Sequence, residues 1–496
     1  MMDNIIKQSN TVQALWVGIG SLATFTFSLV SAAILSRILT KSEYGTYKQI
    51  MYVYNTLLVV FTLGLPKAYS YYLPKYNIEY GNSIVNKINK IFFIIGILFS
   101  AILFFGAPAI SMALNNQQLV HPLRLFAISP AFILPTMGIE GIMASYKKSD
   151  INAIYLFITR CLLLLFVLVP VLVKPNCNSA VLGFSIASII NCFIGLYLKR
   201  MPFKGVKTLD SDVTYREILR FSIPLMFASI GGILIKSADQ FFVSRYCGTE
   251  IFADFANGSL DLPFVNMVLG AAATVLLPEF SHLLAKNSNK KDIVDKWSAS
   301  AYKSALILYP LIIYCIFFSQ QIMVLLYGSL YESSFVYFTI IMMVDLFMIA
   351  PYYPIIIALG STGYYAKVHL LMSVIVWTIE YLTILVFQTA ISLAIISAIL
   401  QIVKIVIMTR YISLRLNVSI LKLFPLKKLS NLILCNLISG LIAYFFTIYV
   451  IQDILLIMQL LISFMLFCLC SFCFGKLSGI NYLTAIEPIY NKYVNK

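Results

Sequence analysis

The sequence predicts an all-α polytopic membrane protein with about fourteen transmembrane helices. Three observations predict it. Of the 496 residues, 60% are hydrophobic and 11% charged, with a mean hydropathy of +0.89; soluble domains carry roughly 45–50% apolar and about 25% charged residues. The apolar residues gather in runs of about 20, the length that crosses a hydrocarbon core of about 30 Å. The gaps between runs are short and polar, and none is long enough to fold as a separate domain.

The runs fall at 13–35, 49–72, 91–113, 123–146, 151–173, 179–198, 221–244, 255–278, 301–325, 334–358, 366–387, 390–412, 431–451 and 454–475. Each is read as an α-helix, because lipid-exposed backbone must satisfy its own hydrogen bonds. The alternating segments of about ten residues that mark a β-barrel are absent. The first run follows a polar stretch, Met1 to Asn10, and is longer than a signal-peptide core, so it is expected to remain as an uncleaved span.

Lys and Arg number 36 against 20 Asp and Glu, a net charge of +16. In a soluble chain that excess would suggest a nucleic-acid partner. Here none is expected, because the basic residues collect in alternate loops. With the N-terminus inside, the inner loops hold Lys75, Lys87 and Lys90; Lys147 and Lys148; Lys199, Arg200, Lys204 and Lys207; Lys286, Lys290 and Lys291; and Arg410, Arg415, Lys422, Lys427 and Lys428. The outer loops hold chiefly Arg37, Lys41, Lys48, Lys174 and Arg245. This bias places both termini in the cytoplasm of a multi-pass protein.

No catalytic, metal-binding or cofactor-binding residue is predicted. Most of the nine cysteines lie within apolar runs and read as packing residues. His121, His282 and His369 are too dispersed for a metal site. There is no P-loop and no G-x-S-x-G run.

Ser36-Arg37, Glu43 and Leu73-Pro74 correspond in order to Ser244-Arg245, Glu250 and Leu277-Pro278. Each set falls at the same place in its half of the chain, which predicts an internal repeat. The expected division is a six-helix bundle over 1–200, a second over 201–420, and two further helices with a tail over 421–496.

Eight charges fall inside predicted spans: Glu140, Arg160, Lys236, Asp239, Asp261, Asp345, Glu380 and Lys404. A charge at a helix centre costs about 2.5–3.5 kcal/mol on insertion scales, so these must face a wet cavity or one another. Arg160, Lys236 and Lys404 are the candidate substrate-binding residues, since Arg forks onto phosphate oxygens and Lys meets them as a point charge. Asp239 and Glu380 are candidates for coupling or charge pairing. Lys236 and Asp239, three residues apart, form either a local ion pair or a cavity wall. Lys404 and Glu380 either bridge adjacent helices or act separately. Pro130, Pro135, Pro310, Pro351 and Pro354 mark expected bends. Pro224 is expected in the first turn of span seven, where proline costs little. The tyrosine groups at 69–72 and 352–353 read chiefly as interfacial aromatic belts.

The chain resembles the polysaccharide-exporting branch of the multidrug/oligosaccharidyl-lipid/polysaccharide exporter superfamily, the O-antigen and capsule flippases. The resemblance is carried by Leu35-Ser36-Arg37-Ile38-Leu39, Glu43-Tyr44-Gly45-Thr46-Tyr47, Gly64-Leu65 and Tyr71-Tyr72-Leu73-Pro74. It continues in Phe221-Ser222-Ile223-Pro224-Leu225, Asp239 and Val243-Ser244-Arg245-Tyr246. The resemblance implies two six-helix bundles forming a V around a central cationic cavity, plus two C-terminal helices. It implies a substrate of sugars on polyprenyl pyrophosphate, flipped across a bacterial inner membrane for O-antigen, capsule or exopolysaccharide synthesis. Implied partners are that lipid-linked glycan, membrane lipids, a polysaccharide polymerase and a chain-length regulator. Span one lacks the basic residue that related lipid-linked peptidoglycan flippases carry there, so headgroup contact is expected from other spans. The rival expectations are a multidrug or cation antiporter of the same superfamily and an integral-membrane polysaccharide polymerase. The antiporters usually have twelve spans, and such polymerases usually carry a large outer loop.

Overall fold

A computed structural model describes residues 10–286 and 289–485. All regular structure among the described residues is helical, and the chain packs as two compact units, Met1–Ala253 and Asp254–Lys496. The first unit begins with α1 (Asn10–Ile38), α2 (Lys41–Phe61), α3 (Pro66–Tyr72) and α4 (Ile78–Ala113). Three short helices follow, α5 (Val120–Phe126), α6 (Ser129–Ile133) and α7 (Ile139–Ser145). Then come α8 (Ser149–Val173), α9 (Cys177–Arg200) and α10 (Tyr215–Cys247), and α11 (Thr249–Gly258) leads into the second unit. That unit holds α12 (Pro263–Ala285), α13 (Lys290–Phe317), α14 (Ser319–Tyr327), α15 (Ser334–Asp345) and α16 (Tyr353–Ala358). It ends with α17 (Thr362–Phe387), α18 (Ala390–Leu416), α19 (Ile420–Leu423), α20 (Leu426–Val450) and α21 (Leu456–Leu477).

Thirteen helical segments among the described residues are long and apolar enough to cross a membrane. The remaining expected run, 334–358, is divided between α15, of 12 residues, and α16. Between them lie residues 346–352. Pro351 has no N–H to donate and turns Ala350 away from helical geometry, so the helix stops short of it. Span four is divided in the same manner. Pro130 starts α6, Pro135 sits in a 3-10 turn, and Gly138 adopts φ +81° before α7. Span two breaks at Leu63 and Gly64, both with positive φ, and Pro66 restarts it as α3. Pro310, by contrast, stays within an unbroken α13.

One expectation about span seven is corrected. Pro224 is interior to α10, because the helix begins at Tyr215, capped by Thr214, rather than near Phe221. The Thr214 side chain accepts from the Glu217 N–H at 3.2 Å, and Glu217 Oε2 accepts from the Thr214 N–H at 2.8 Å. This capping box satisfies two orphan donors and extends the helix outside the apolar run.

In the first unit α8 packs between α1 and α9, and α10 lies along α2. Close approach requires glycine at Gly45, where a Cβ would fall 2.1 Å from the Thr249 carbonyl oxygen. In the second unit α20 and α21 pack against each other and against α13. Tyr314 Oη donates to the Leu460 carbonyl at 2.7 Å, and Ser471 Oγ donates to Asn436 Oδ1 at 2.7 Å. The last two spanning helices are therefore built into this unit by buried polar bonds as well as apolar packing.

Residues 204–214, between α9 and α10, are strapped onto the first turns of α4. The Leu209 N–H donates to the Glu79 carbonyl at 3.0 Å. Ser83 Oγ donates to Asp210 Oδ1 at 2.6 Å, and the Lys87 ammonium lies 3.0 Å from the same oxygen. The Ser83 hydroxyl and the Lys87 charge hold the Asp210 carboxyl below its usual range. A depressed carboxylate contributes stability above its unfolded value and loses it as pH falls through the folded one. The strap is thus expected to stay docked at neutral pH and to loosen below about pH 4. Hydrogen exchange at the Leu209 amide, corrected for intrinsic rate, checks this. Asp210→Asn should show the loosened pattern at neutral pH, and unchanged protection in that variant would contradict the assignment.

Candidate functional site

The candidate charges are distributed over both units. Arg160 is half-buried on α8 and lies within electrostatic reach of Tyr54 on α2 and Tyr155 one turn earlier on α8. Tyr54 itself stacks on Phe99 at 6.0 Å and meets Phe126 edge-on at 5.2 Å. The guanidinium is therefore within electrostatic reach of one member of an aromatic cluster. Lys236, exposed, and Asp239, half-buried, are one turn apart on α10, so they share a helix face. Asp239 Oδ1 accepts from the Gln240 N–H at 2.7 Å. In the second unit Glu380 is fully buried on α17, at 0% exposure. Lys404, half-buried on α18, lies within electrostatic reach of His369 on α17.

Of the other charges singled out in the sequence, Glu140 is exposed in the first turn of α7. The glycines beside it serve close packing. A Cβ at Gly138 would fall 2.4 Å from the Tyr69 ring, and one at Gly141 would fall 2.7 Å from Ser70 Oγ.

Two polar constellations have no clear mark in the sequence. The first is centred on Lys199, which the loop pattern places among inner-loop cations. It occupies the last turn of α9 and is 0% exposed. Its ammonium donates to Tyr69 Oη at 3.0 Å, to Asn89 Oδ1 at 2.9 Å and to the Met137 carbonyl at 2.5 Å. Tyr69 Oη in turn donates to Asn89 Oδ1 at 2.7 Å. The Phe92 ring lies 5.3 Å from the same nitrogen. An ammonium has three donors, and here all three are used on neutral acceptors. The C-terminal end of α9 adds a favourable dipole. The cluster ties together α3 after the break in span two, α4, the break in span four, and α9. A Lys-Arg pair after an apolar run carries no sign of this, since it reads as a flanking charge.

The second constellation joins α2, the 114–116 turn and α10. Gln49, fully buried, donates to Ser244 Oγ at 2.8 Å and accepts from Asn116 Nδ2 at 2.6 Å. Asn116 also donates to Thr46 Oγ1 at 3.0 Å. Arg245 Nη1 donates to the Ala113 carbonyl at 2.7 Å, capping the C-terminal end of α4. The Ser-Arg pair at 244–245 thus serves as a joint between helices.

The polar equipment of the spanning helices carries both signs of charge, Arg160, Lys236 and Lys404 as well as Asp239 and Glu380, and is rich in aromatic and amide groups. It can bind an anion or a sugar face. Among the described residues no group of three His, Cys, Asp or Glu side chains could hold a metal ion.

The sequence profile described as "Polysaccharide biosynthesis protein" matches residues 12–284, more than half of the chain. The chain belongs to that family. An uncharacterized membrane protein of Methanocaldococcus jannaschii is 24% identical over 345 residues, covering 66% of this chain and 79% of that protein. In fold, this family member is similar to the lipid II flippase MurJ in an inward closed conformation. That match has a TM-score of 0.66 at 15% identity and covers 94% of this chain and 99% of MurJ. It is also similar to an inward-facing multidrug resistance MATE transporter of the MOP superfamily, with a TM-score of 0.63 at 12% identity, covering 82% of this chain and 98% of the transporter. The Vibrio cholerae MATE transporter VcmN in its bent form matches with a TM-score of 0.52 at 16% identity, covering 82% of this chain and 97% of VcmN. This member of the polysaccharide biosynthesis family therefore has the polytopic transporter fold that MurJ and the MATE proteins share.

The buried ammonium yields a stability prediction. Lys199→Met keeps much of the side-chain volume but removes the donor to the Met137 carbonyl, at about 1–3 kcal/mol for an orphaned buried acceptor. Thermal unfolding of the detergent-solubilised protein should move to lower temperature. An unchanged midpoint would show that the neutral cage does not depend on the charge.

Proposed function

We propose that this protein is a flippase that moves polyprenyl-pyrophosphate-linked oligosaccharide units across a bacterial inner membrane by alternating access, for O-antigen, capsule or exopolysaccharide synthesis. One observation carries the reading: a chain of the polysaccharide biosynthesis family bears basic side chains within its spanning helices at Arg160, Lys236 and Lys404. Cations at such positions are costly in lipid unless they serve a polar path or a partner, and a pyrophosphate headgroup is a matching anion. Asp239 and Glu380 are assigned to pairing or to a coupling cation. The protein acts as a transporter rather than as an enzyme, with both termini cytoplasmic, a reading that the loop charges support.

The breadth of the fold match supports a flippase over a drug antiporter. MurJ, named as a lipid II flippase, aligns with 94% of the chain, whereas the two MATE transporters each align with 82%. The repeat-based division into two six-helix bundles and two further helices is retained within this proposal.

Deleting the gene should leave completed lipid-linked repeat units on the inner leaflet. Normal glycan export with altered drug sensitivity would reject the flippase. Arg160→Ala and Lys236→Ala should each abolish export while protein remains in the membrane. Full export in both variants would remove those cations from the substrate path.

A further inference from the structure

In the second unit a continuous run of aromatic and basic side chains climbs the α17–α18 hairpin from its basic end. At that end Arg415, exposed in the last turn of α18, donates from Nε to Tyr411 Oη at 2.9 Å. Its guanidinium also lies 5.2 Å from the Tyr411 ring centroid. Tyr411 stacks on Tyr364 of α17, with centroids 3.7 Å apart and planes 12° apart, and its hydroxyl donates to Ser361 Oγ at 2.7 Å. Next to Tyr364, Tyr365 packs on the His369 ring at 4.4 Å and on Tyr352 at 6.5 Å. His369 in turn lies within electrostatic reach of Lys404. Tyr364, Tyr365, His369, Lys404 and Tyr411 are all half-buried, so each keeps some accessible surface.

An aromatic belt explains tyrosines at the level of lipid headgroups. It does not explain the inner half of this run. Lys404 is eleven residues from Arg415, about 16 Å along the helix axis. His369 is seven residues past the start of α17, about 10 Å in. His369 Nε2 is buried and makes no hydrogen bond among the described residues. An unsatisfied ring nitrogen at that depth is unfavourable in a purely structural lining.

We propose that this ladder is a binding track for the phosphorylated end of a glycan, in which Arg415 and Lys404 take the phosphates and the Tyr364–Tyr411 and Tyr365 faces take the sugar. It deepens the flippase reading and rests on it. Two cationic residues about 16 Å apart along the helix axis match a headgroup handed from the helix end toward the bilayer interior. Between them the aromatic faces are rigid and amphipathic, and they tolerate different sugars. Tyr411 is a positioning residue as well, since one hydroxyl fixes the Arg415 fork and the Ser361 turn together.

The test is binding to purified full-length protein in nanodiscs, with two probes: farnesyl pyrophosphate, and farnesyl pyrophosphate carrying one N-acetylglucosamine. Arg415→Gln and Lys404→Gln should each weaken both probes by about tenfold or more, the loss expected of a charge-assisted bond. Tyr364→Leu and Tyr411→Leu should weaken only the glycosylated probe. Tyr411→Phe keeps the stack and loses the hydroxyl, so it should retain sugar discrimination while weakening the pyrophosphate contact through Arg415. Melting curves for every variant separate lost binding from lost fold. Wild-type affinity for both probes in folded variants would overturn the track and leave the flippase reading standing. Absence of binding by the wild-type protein to either probe would overturn the track and count against the flippase. Binding as described by a protein that moves no substrate in vesicles would sustain the track and reject the flippase.

Discussion

A polar group placed in hydrocarbon has to find its partner within the protein, and each group left unsatisfied costs several kcal/mol. This constraint governs Lys199. Its ammonium sits at 0% exposure with each donor engaged, and the acceptors come from three other segments of the first unit. The same constraint governs the breaks in spans two and four. A helix can be interrupted within the membrane only where side chains or neighbouring helices take up the freed backbone groups. Lys199 does so for the Met137 carbonyl, beside the left-handed Gly138. One buried cation thus holds an irregular backbone in place and ties α3, α4 and α9 to it.

Close packing is the second consequence. Apolar side chains gain little by leaving lipid for a helix neighbour, so association relies on small residues and interhelical hydrogen bonds. Gly45 against Thr249, Gly138 against Tyr69 and Gly183 against the Phe166 carbonyl allow such approach. The Gln49–Asn116–Ser244 network and the Tyr314–Leu460 bond supply the polar part.

The fold was largely legible in the sequence because span length acts through average properties of whole segments. Spans such as Ile78–Ala113 and Ala390–Leu416 differ from expectation only in extending beyond the apolar core. Their ends are set by polar caps. Thr214 and Glu217 move the start of α10, and with it Pro224 from the first turn to the interior. The T-x-x-E signal is present but lies outside the apolar window. The site was less legible, because pairing across helices depends on rotation and depth. Lys199 and Arg200 are adjacent and look alike as text, yet only one is enclosed. Lys404 stands out by its depth in a span, but its neighbour His369 has significance in the sequence only as a metal ligand, a role its spacing denies. Tyr364 and Tyr411, 47 residues apart, give no sign that their rings stack.

The cationic spans, the aromatic ladder and the family membership support the proposed movement of an anionic, sugar-bearing lipid without a nucleotide-binding motif. The direct measurement is transbilayer movement in vesicles that contain only this protein and lipid. A fluorescent short-chain polyprenyl-pyrophosphate oligosaccharide is placed in both leaflets, and a membrane-impermeant reductant quenches the outer pool. The account predicts that quenching proceeds beyond the outer half in vesicles with the protein. Quenching that stops at the outer half, with protein folded and inserted, would contradict it.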